Sequence, residues 1–236
     1  MNWHGVVTYG ADVIEYEARF TPRSSLEISV HPDGRVEVVA PHGTPREVVE
    51  KRLRARAPWI RRQQRFFVQF KPRTTPRQYV NGETHLYLGR QYRLRVSSAN
   101  ADHVKLVAGR LEVASREPMS PTKAAQVLEG WYRSRARVKF HERMERVFPP
   151  FERLGHSRPP IRVQRLTYRW GSLGPSRLML LNTRLIQAPL PCIDYVIVHE
   201  LCHLEHRDHG RDFYDLLDRL LPDWQTRKSR LERMLA

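Results

Sequence analysis

The residues with the clearest chemical purpose are His199, Glu200 and His203. They sit in the run Cys192-Ile193-Asp194-Tyr195-Val196-Ile197-Val198-His199-Glu200-Leu201-Cys202-His203-Leu204. Helical residues four apart lie one turn above each other, so the two imidazoles of an H-E-x-x-H run can turn to one cation while the glutamate projects beside it. That pattern suits metal-assisted hydrolysis: Zn²⁺ polarises a scissile carbonyl and acidifies a water, and Glu200 takes the water's proton and passes it to the leaving amine. Ile193, Val196, Ile197, Leu201 and Leu204 leave the opposite surface apolar, as a metal-bearing helix docked in a core requires. The bland account is a helix carrying two ordinary histidines. Chance seldom yields this motif inside an apolar helix opened by a proline, here Pro191.

Two histidines do not complete a zinc site, which takes three protein ligands and keeps an exchangeable position. His206 comes seven residues after His199, about 10 Å further along the axis, whereas the metal must lie between His199 and His203. His209 follows Arg207-Asp208 and precedes Gly210, a turn that can swing its ring back before a helix resumes over 211–221. His209 is therefore the favoured third ligand, with His206 left to solvent or a supporting role. Asp212 and Asp215 on the next helix remain alternatives, either as ligands or as groups orienting a histidine through its second nitrogen. His141-Glu142 lacks a second histidine and reads as a helix face. For the oxyanion, Tyr168, Arg184, Arg211 and Tyr214 are within reach in sequence order only.

The elements that must position these residues change character along the chain. Residues 25–31 and 35–40 alternate apolar and polar around Pro32-Asp33-Gly34, which reads as a β-hairpin. Thr44-Pro45-Arg46-Glu47 reads as a capping box opening a helix through Val48, Val49 and Leu53, with Pro58 set to kink or interrupt it. A loop over 72–76 leads to strand signals at Tyr79-Val80, 86–88, 92–96, 104–107 and 111–113. After Pro118 and Pro121, Ala124, Val127, Leu128, Trp131, Ala136, Val138 and Phe140 recur at helical spacing. Strands are expected at 161–168 and 178–181. The fold class is α+β: a β-rich N-terminal half with one helix over 1–116, then a core carrying the H-E-x-x-H helix over 117–236.

With these segments in place the sequence resembles the YgjP-like predicted metal-dependent hydrolases, related to zincin metallopeptidases and similar in their core to SprT-like proteases. The residues that carry the resemblance are Pro32-Asp33-Gly34-Arg35-Val36, Ala40-Pro41, Trp59-Ile60, Gly82-Glu83, Tyr87-Leu88-Gly89-Arg90 and Trp131-Tyr132-Arg133. They continue with Arg169-Trp170-Gly171-Ser172, Leu181-Asn182-Thr183-Arg184-Leu185, Ala188-Pro189, the segment 193–201 and 209–213. The resemblance implies a zincin-like core, one family unit, and His209 as third ligand in H-E-x-x-H-x5-H spacing. The chain departs from the family pattern at Leu173, where Cys is common, and at Cys202, where Ala is common. Neither change removes a ligand, and Cys202 reads as a small core residue rather than a rival ligand. Arg169-Trp170-Gly171-Ser172 reads either as an active-site rim or edge strand for an extended peptide, or as a core strand with Trp170 buried.

Composition narrows the partners. With 41 Lys plus Arg against 25 acids the formal net charge is +16, enough to attract polyanions. Residues 51–77 contain Lys51, Arg52, Arg54, Arg56, Arg61, Arg62, Arg65, Lys71, Arg73 and Arg77 with no acid, interleaved with Trp59, Phe66, Phe67 and Phe70. Such a run can follow a phosphate backbone and stack on bases, or it can be a solvated face. A protein or peptide substrate, with possible DNA contact through Lys51 to Arg77, is the expectation. A nucleic-acid-binding protein with a non-catalytic zinc site is the alternative, although no Cys-x-x-Cys is present to build one. No segment has the length and apolarity to cross a bilayer, and the first ten residues do not resemble a signal peptide. Cys192 and Cys202 are about 15 Å apart along one helix, too far to bridge, so reduced thiols and a cytoplasmic location are expected.

Overall fold

A computed structural model describes residues 2–10, 12–31, 34–68, 77–167 and 169–235. The chain divides into two compact units, 1–74 and 75–235.

The first unit is a four-stranded sheet with one helix. Strands β1 (Asn2–Tyr9), β2 (Asp12–Thr21), β3 (Glu27–Val30) and β4 (Val36–Pro41) lie in the order β1-β2-β4-β3. The β3–β4 pair is antiparallel, as the alternation over 25–40 implies, while β2 and β4 run parallel. The β1–β2 hairpin was not legible beforehand, because Val6 and Val13 are more than half exposed and dilute the alternation. Helix α1 (Arg46–Val68) buries Val49, Leu53, Ala57 and Ile60 in one cluster with Val7, Ile14, Tyr16, Val36 and Val38. Two local expectations are corrected. The Thr44 hydroxyl donates back to the Pro41 carbonyl at 2.8 Å instead of capping the helix, and α1 runs through Pro58 without interruption. The Pro32-Asp33 turn, the 72–76 loop, Phe70, Lys71, Arg73 and the side chains of Phe66 and Phe67 fall outside the described residues.

The second unit joins two sheets to a helical core. Strands β5 (Thr84–Tyr87), β6 (Arg90–Ser98), β7 (His103–Val107) and β8 (Arg110–Ser115) form a sheet in the order β5-β6-β8-β7. Helix α2 (Pro121–Val147) follows, its first turn closed by Ser120, whose hydroxyl oxygen accepts from the Lys123 amide at 3.1 Å. After α3 (Pro149–Arg153) come β9 (Ile161–Gln164), β10 (Gly171–Leu173) and β11 (Met179–Asn182), ordered β10-β11-β9, so β10 is an edge strand. A 3₁₀ turn over Thr183–Gln187 then leads to α4 (Leu190–Cys202), α5 (Arg211–Leu220) and α6 (Trp224–Leu235). Tyr79-Val80, expected as strand, is irregular, with Tyr79 at φ 57°.

The change from strand to helix periodicity near 116/117 lies inside this second unit. Leu94, Leu111 and Val113 of the β5–β8 sheet share one core cluster with Leu128 and Phe140 of α2 and with Ile193, Ile197 and Leu201 of α4. A sheet that covers its apolar face with helices becomes part of their core whatever its place in the sequence. The chain is thus α+β, strand-rich at its start and helical in its second half. No helix among the described residues is long and apolar enough to cross a membrane.

Candidate metal centre

Helix α4 is fixed from both ends before its chemistry begins. At its start, the turn between β5 and β6 docks onto the 3₁₀ segment, with Leu88 and Gly89 amides donating to the Ile186 and Gln187 carbonyls at 3.0 and 2.9 Å. Gly89 has φ +80°, and a Cβ there would lie 2.6 Å from Pro189 Cγ, so only glycine permits this approach. One turn in, Asp194 accepts two hydrogen bonds from Arg143 of α2, Nε to Oδ1 at 2.7 Å and Nη2 to Oδ2 at 2.6 Å, both residues buried. Leu201 and Cys202 close the helix in the core with no exposed surface.

At its end the chain turns back, and the triad forms. His199, His203 and His209 each offer a ring nitrogen, and the three nitrogens lie within 4.8 Å of one another. Nε2 of His199 and Nε2 of His209 are 3.0 Å apart. Two nitrogens each about 2.05 Å from a tetrahedral zinc would be about 3.3 Å apart, so the spacing fits a divalent ion. Phe213 of α5 is fully buried and packs its ring against all three imidazoles at centroid distances of 4.6 to 5.0 Å. His203 Nδ1 is 3.0 Å from the His206 carbonyl, which calls for a proton on Nδ1 and leaves Nε2 its lone pair.

The electrostatics favour bare ligands. Burial, followed by the neighbouring His209 and His203, pushes the His199 pKa down to about 3. His209 is also lowered, first by burial and then by His203. Neutral imidazoles are what a cation requires. Among the described residues, His199 Nδ1 is buried without a hydrogen-bond partner.

Glu200 lies in a slot against Gly171 of β10. It is 6 % exposed, and burial pushes its pKa up to about 7 against the opposing effects of the Leu173 amide and the Arg169 charge. The slot exists because residue 171 is glycine: a Cβ there would lie 2.9 Å from both Cγ and Oε1 of Glu200.

The other expectations sort out by geometry. His206 keeps its ring out of the cluster and contributes its carbonyl. Asp212 and Asp215 are exposed on α5, and Asp215 is 3.6 Å from Arg211. Cys202 is fully buried, its thiol pushed up to about 12 by burial, and it is not among the clustered ligands. His141 bonds to the Arg137 carbonyl on an exposed helix face, and Glu142 to Lys139. Among the oxyanion candidates, Arg184 donates to the Leu235 carbonyl and lies over Trp170, and Tyr214 stacks on Trp224. Arg211 is almost wholly exposed, and Tyr168 lies outside the described residues. Gly171, Arg169 and Phe213 were not singled out from sequence as individual site residues. Only their nearness to the motif in the fold marks them.

The family model for the YgjP-like metallopeptidase domain matches residues 24–234. The chain belongs to the YgjP-like family. It is therefore, in general terms, a metal-dependent peptidase or hydrolase, and its chemistry calls for a divalent metal. Among the described residues the His199, His203 and His209 cluster of this YgjP-like chain is the one group able to hold such an ion. No curated protein matches the chain.

Proposed function

We propose that the chain is a zinc-dependent metallopeptidase that cleaves peptide bonds, with His199, His203 and His209 as metal ligands and Glu200 as general base. The observation that carries this reading is the approach of three imidazole nitrogens to within 4.8 Å beside a buried glutamate on the same helix. Three imidazole ligands, with no fourth side chain in the cluster among the described residues, suit zinc in a catalytic setting, where one position stays open. When bound, the zinc supplies Lewis acidity, polarising the scissile carbonyl and acidifying the attacking water.

The chain's own residues do the rest. Glu200, its pKa raised to about 7 by burial, takes a proton from the attacking water at a carboxylate oxygen and returns it to the leaving nitrogen. Strand β10, at the edge of its sheet and against Glu200 through Gly171, offers backbone groups for an extended peptide to pair with. The His206 carbonyl holds the His203 ring in its ligating tautomer. Metal analysis and casein degradation by wild type, Glu200→Gln and His203→Ala test the reading. One zinc per chain is expected in wild type and Glu200→Gln, hydrolysis in wild type alone, and neither property in His203→Ala. A wild type that binds no zinc, or a fully active Glu200→Gln, refutes it.

A second component, recruitment to DNA, is favoured by α1. Lys51, Arg52, Arg56, Arg62 and Arg65 are exposed and have no ion-pair or hydrogen-bond partner among the described residues, whereas Arg54 pairs with Glu50 and Arg61 with Asp12. On the other side of α1, Val49, Leu53, Ala57 and Ile60 are buried in the core of their own unit. Four to five phosphate contacts would give log K against log salt a slope of about −4 on duplex DNA. A Arg52→Glu/Arg56→Glu variant is expected to reduce that slope by about two. Binding of zinc and DNA without Glu200-dependent cleavage would favour the non-catalytic alternative.

A further inference from the structure

The sheet of β5, β6, β8 and β7 has two faces, and one of them belongs to the core. Leu94 of β6 and Leu111 and Val113 of β8 are buried and share a cluster with α2 and α4. Side chains alternate along a strand, so Arg93 and Arg95 of β6 and Arg110 and Glu112 of β8 stand on the opposite face. Lys105 of β7 joins them there, because it is registered with Glu112. Arg93, Arg95, Lys105 and Arg110 are all exposed.

Three observations mark this face. The first is register. Arg93 is paired directly with Arg110 in the parallel β6–β8 ladder; neighbouring strands lie about 4.8 Å apart, and like charges directly opposite destabilise a sheet. The second is the lack of compensation. Glu112 stands between Arg95 and Lys105 on its two neighbouring strands, yet none of the four cations has an ion pair or a side-chain hydrogen bond among the described residues. The third is breadth, since the cations occupy two successive rungs across β6, β8 and β7 with Glu112 as the single acid between them. Charge arranged for the sheet's own stability would alternate in sign across the strands; here it repeats.

We propose that this face is a docking surface for duplex DNA, holding the phosphate backbone through Arg93, Arg95, Lys105 and Arg110. A phosphate between Arg93 and Arg110 accepts hydrogen bonds from both guanidiniums and removes the repulsion that the bare sheet carries. Duplex DNA suits the face better than an acidic peptide. It presents one charge per about 1.7 Å of axis on a stiff scaffold, whereas a flexible chain must be ordered before it meets four cations together. No Phe, Tyr or Trp stands among the outward positions of β6, β7 and β8, so the contact is with charge and not with stacked bases. The inference goes beyond the α1 component: different residues carry it, and they belong to the unit that holds the metal centre.

Full-length wild type, Arg93→Gln/Arg110→Gln, Arg110→Glu and a charge control, Arg153→Glu, are titrated with a short DNA duplex across a salt series. Two lost phosphate contacts lower the slope of log K against log salt by about 1.8, which is about sixtyfold in affinity at about 0.1 M salt and closes toward about 1 M. Arg93→Gln/Arg110→Gln is expected to show that loss. Arg110→Glu puts a carboxylate opposite Arg93, so DNA affinity should fall at least as far while the urea midpoint holds or rises. Those opposite signs separate a docking face from one that merely supports the fold. Arg153 is exposed on α3, and Arg153→Glu, with the same change in net charge, should cost less than threefold in affinity. Equal losses in Arg153→Glu and Arg110→Glu, or an unchanged slope in the double variant, overturns the proposal. Tighter binding of phosphatidylserine vesicles, polyglutamate or duplex RNA through the same arginines also overturns it. Failure of the α1 component is read separately in Arg52→Glu/Arg56→Glu, and failure of the metallopeptidase reading in zinc content and cleavage.

Discussion

The Arg143–Asp194 pair fixes the orientation of the helix that carries two of the three ligands, and its removal has a calculable cost. The guanidinium and carboxylate meet through two charge-assisted bonds of 2.7 and 2.6 Å, and each residue is only 7 % exposed. Replacing one partner strands the other's charge in the core, which costs about 3–5 kcal/mol. In Asp194→Asn the stranded group is an arginine, which cannot escape by losing its proton. With an m-value of about 2–3 kcal/mol/M the urea midpoint should fall by about 1–2 M. Amide exchange in α2 and α4 during urea titration reads the second unit separately from the first. The double variant Arg143→Met/Asp194→Leu removes both charges together, and apolar replacement of a buried pair is often neutral or better. It should therefore recover most of the loss, and zinc affinity should follow stability in all three variants because Asp194 lies just over one turn before His199. A loss below about 1 kcal/mol for Asp194→Asn, or a double variant as unstable as the single one, would refute the account of α4 as pinned by a buried ion pair.

Further outcomes follow from individual contacts. Gly171→Ala places a methyl 2.9 Å from Glu200 Cγ and Oε1, and peptide hydrolysis should fall at least about tenfold while zinc content holds, since displacement of the base by even 1 Å is costly; unchanged turnover would count against Glu200 working from this slot. Gly89→Ala combines φ +80° with contact on the Pro189 backbone, so a loss of about 2 kcal/mol or more is expected in urea unfolding, and a neutral result would mean the β5–β6 turn does not brace α4. Asp102, bonded to Lys123, the Ser115 hydroxyl and the Arg116 amide, has its pKa lowered from 3.8 to about 2. Because the folded value is the depressed one, its contribution is present above about pH 4 and fades as pH falls toward 2. Asp102→Asn should therefore lower Tm at pH 7, with the difference from wild type closing between pH 4 and 2; a difference independent of pH would assign the effect to packing instead.

What the sequence determined by itself is what periodicity and spacing encode. His199 and His203 share a helix face because they are four residues apart, and the fold class follows from alternation giving way to helical spacing. His209 was favoured because Gly210 and its neighbours allow a return of the chain, and its Nε2 does lie 3.0 Å from that of His199. Tertiary structure alone decided everything that depends on elements distant in sequence. It placed the β5–β8 sheet in the core of the α4 helix, since apolar faces associate by area and not by order along the chain. It also joined Asp194 to an arginine on α2 and opened a slot for Glu200 at Gly171. Such contacts are set by packing between separate segments, and no local pattern of residue types records which segments will meet.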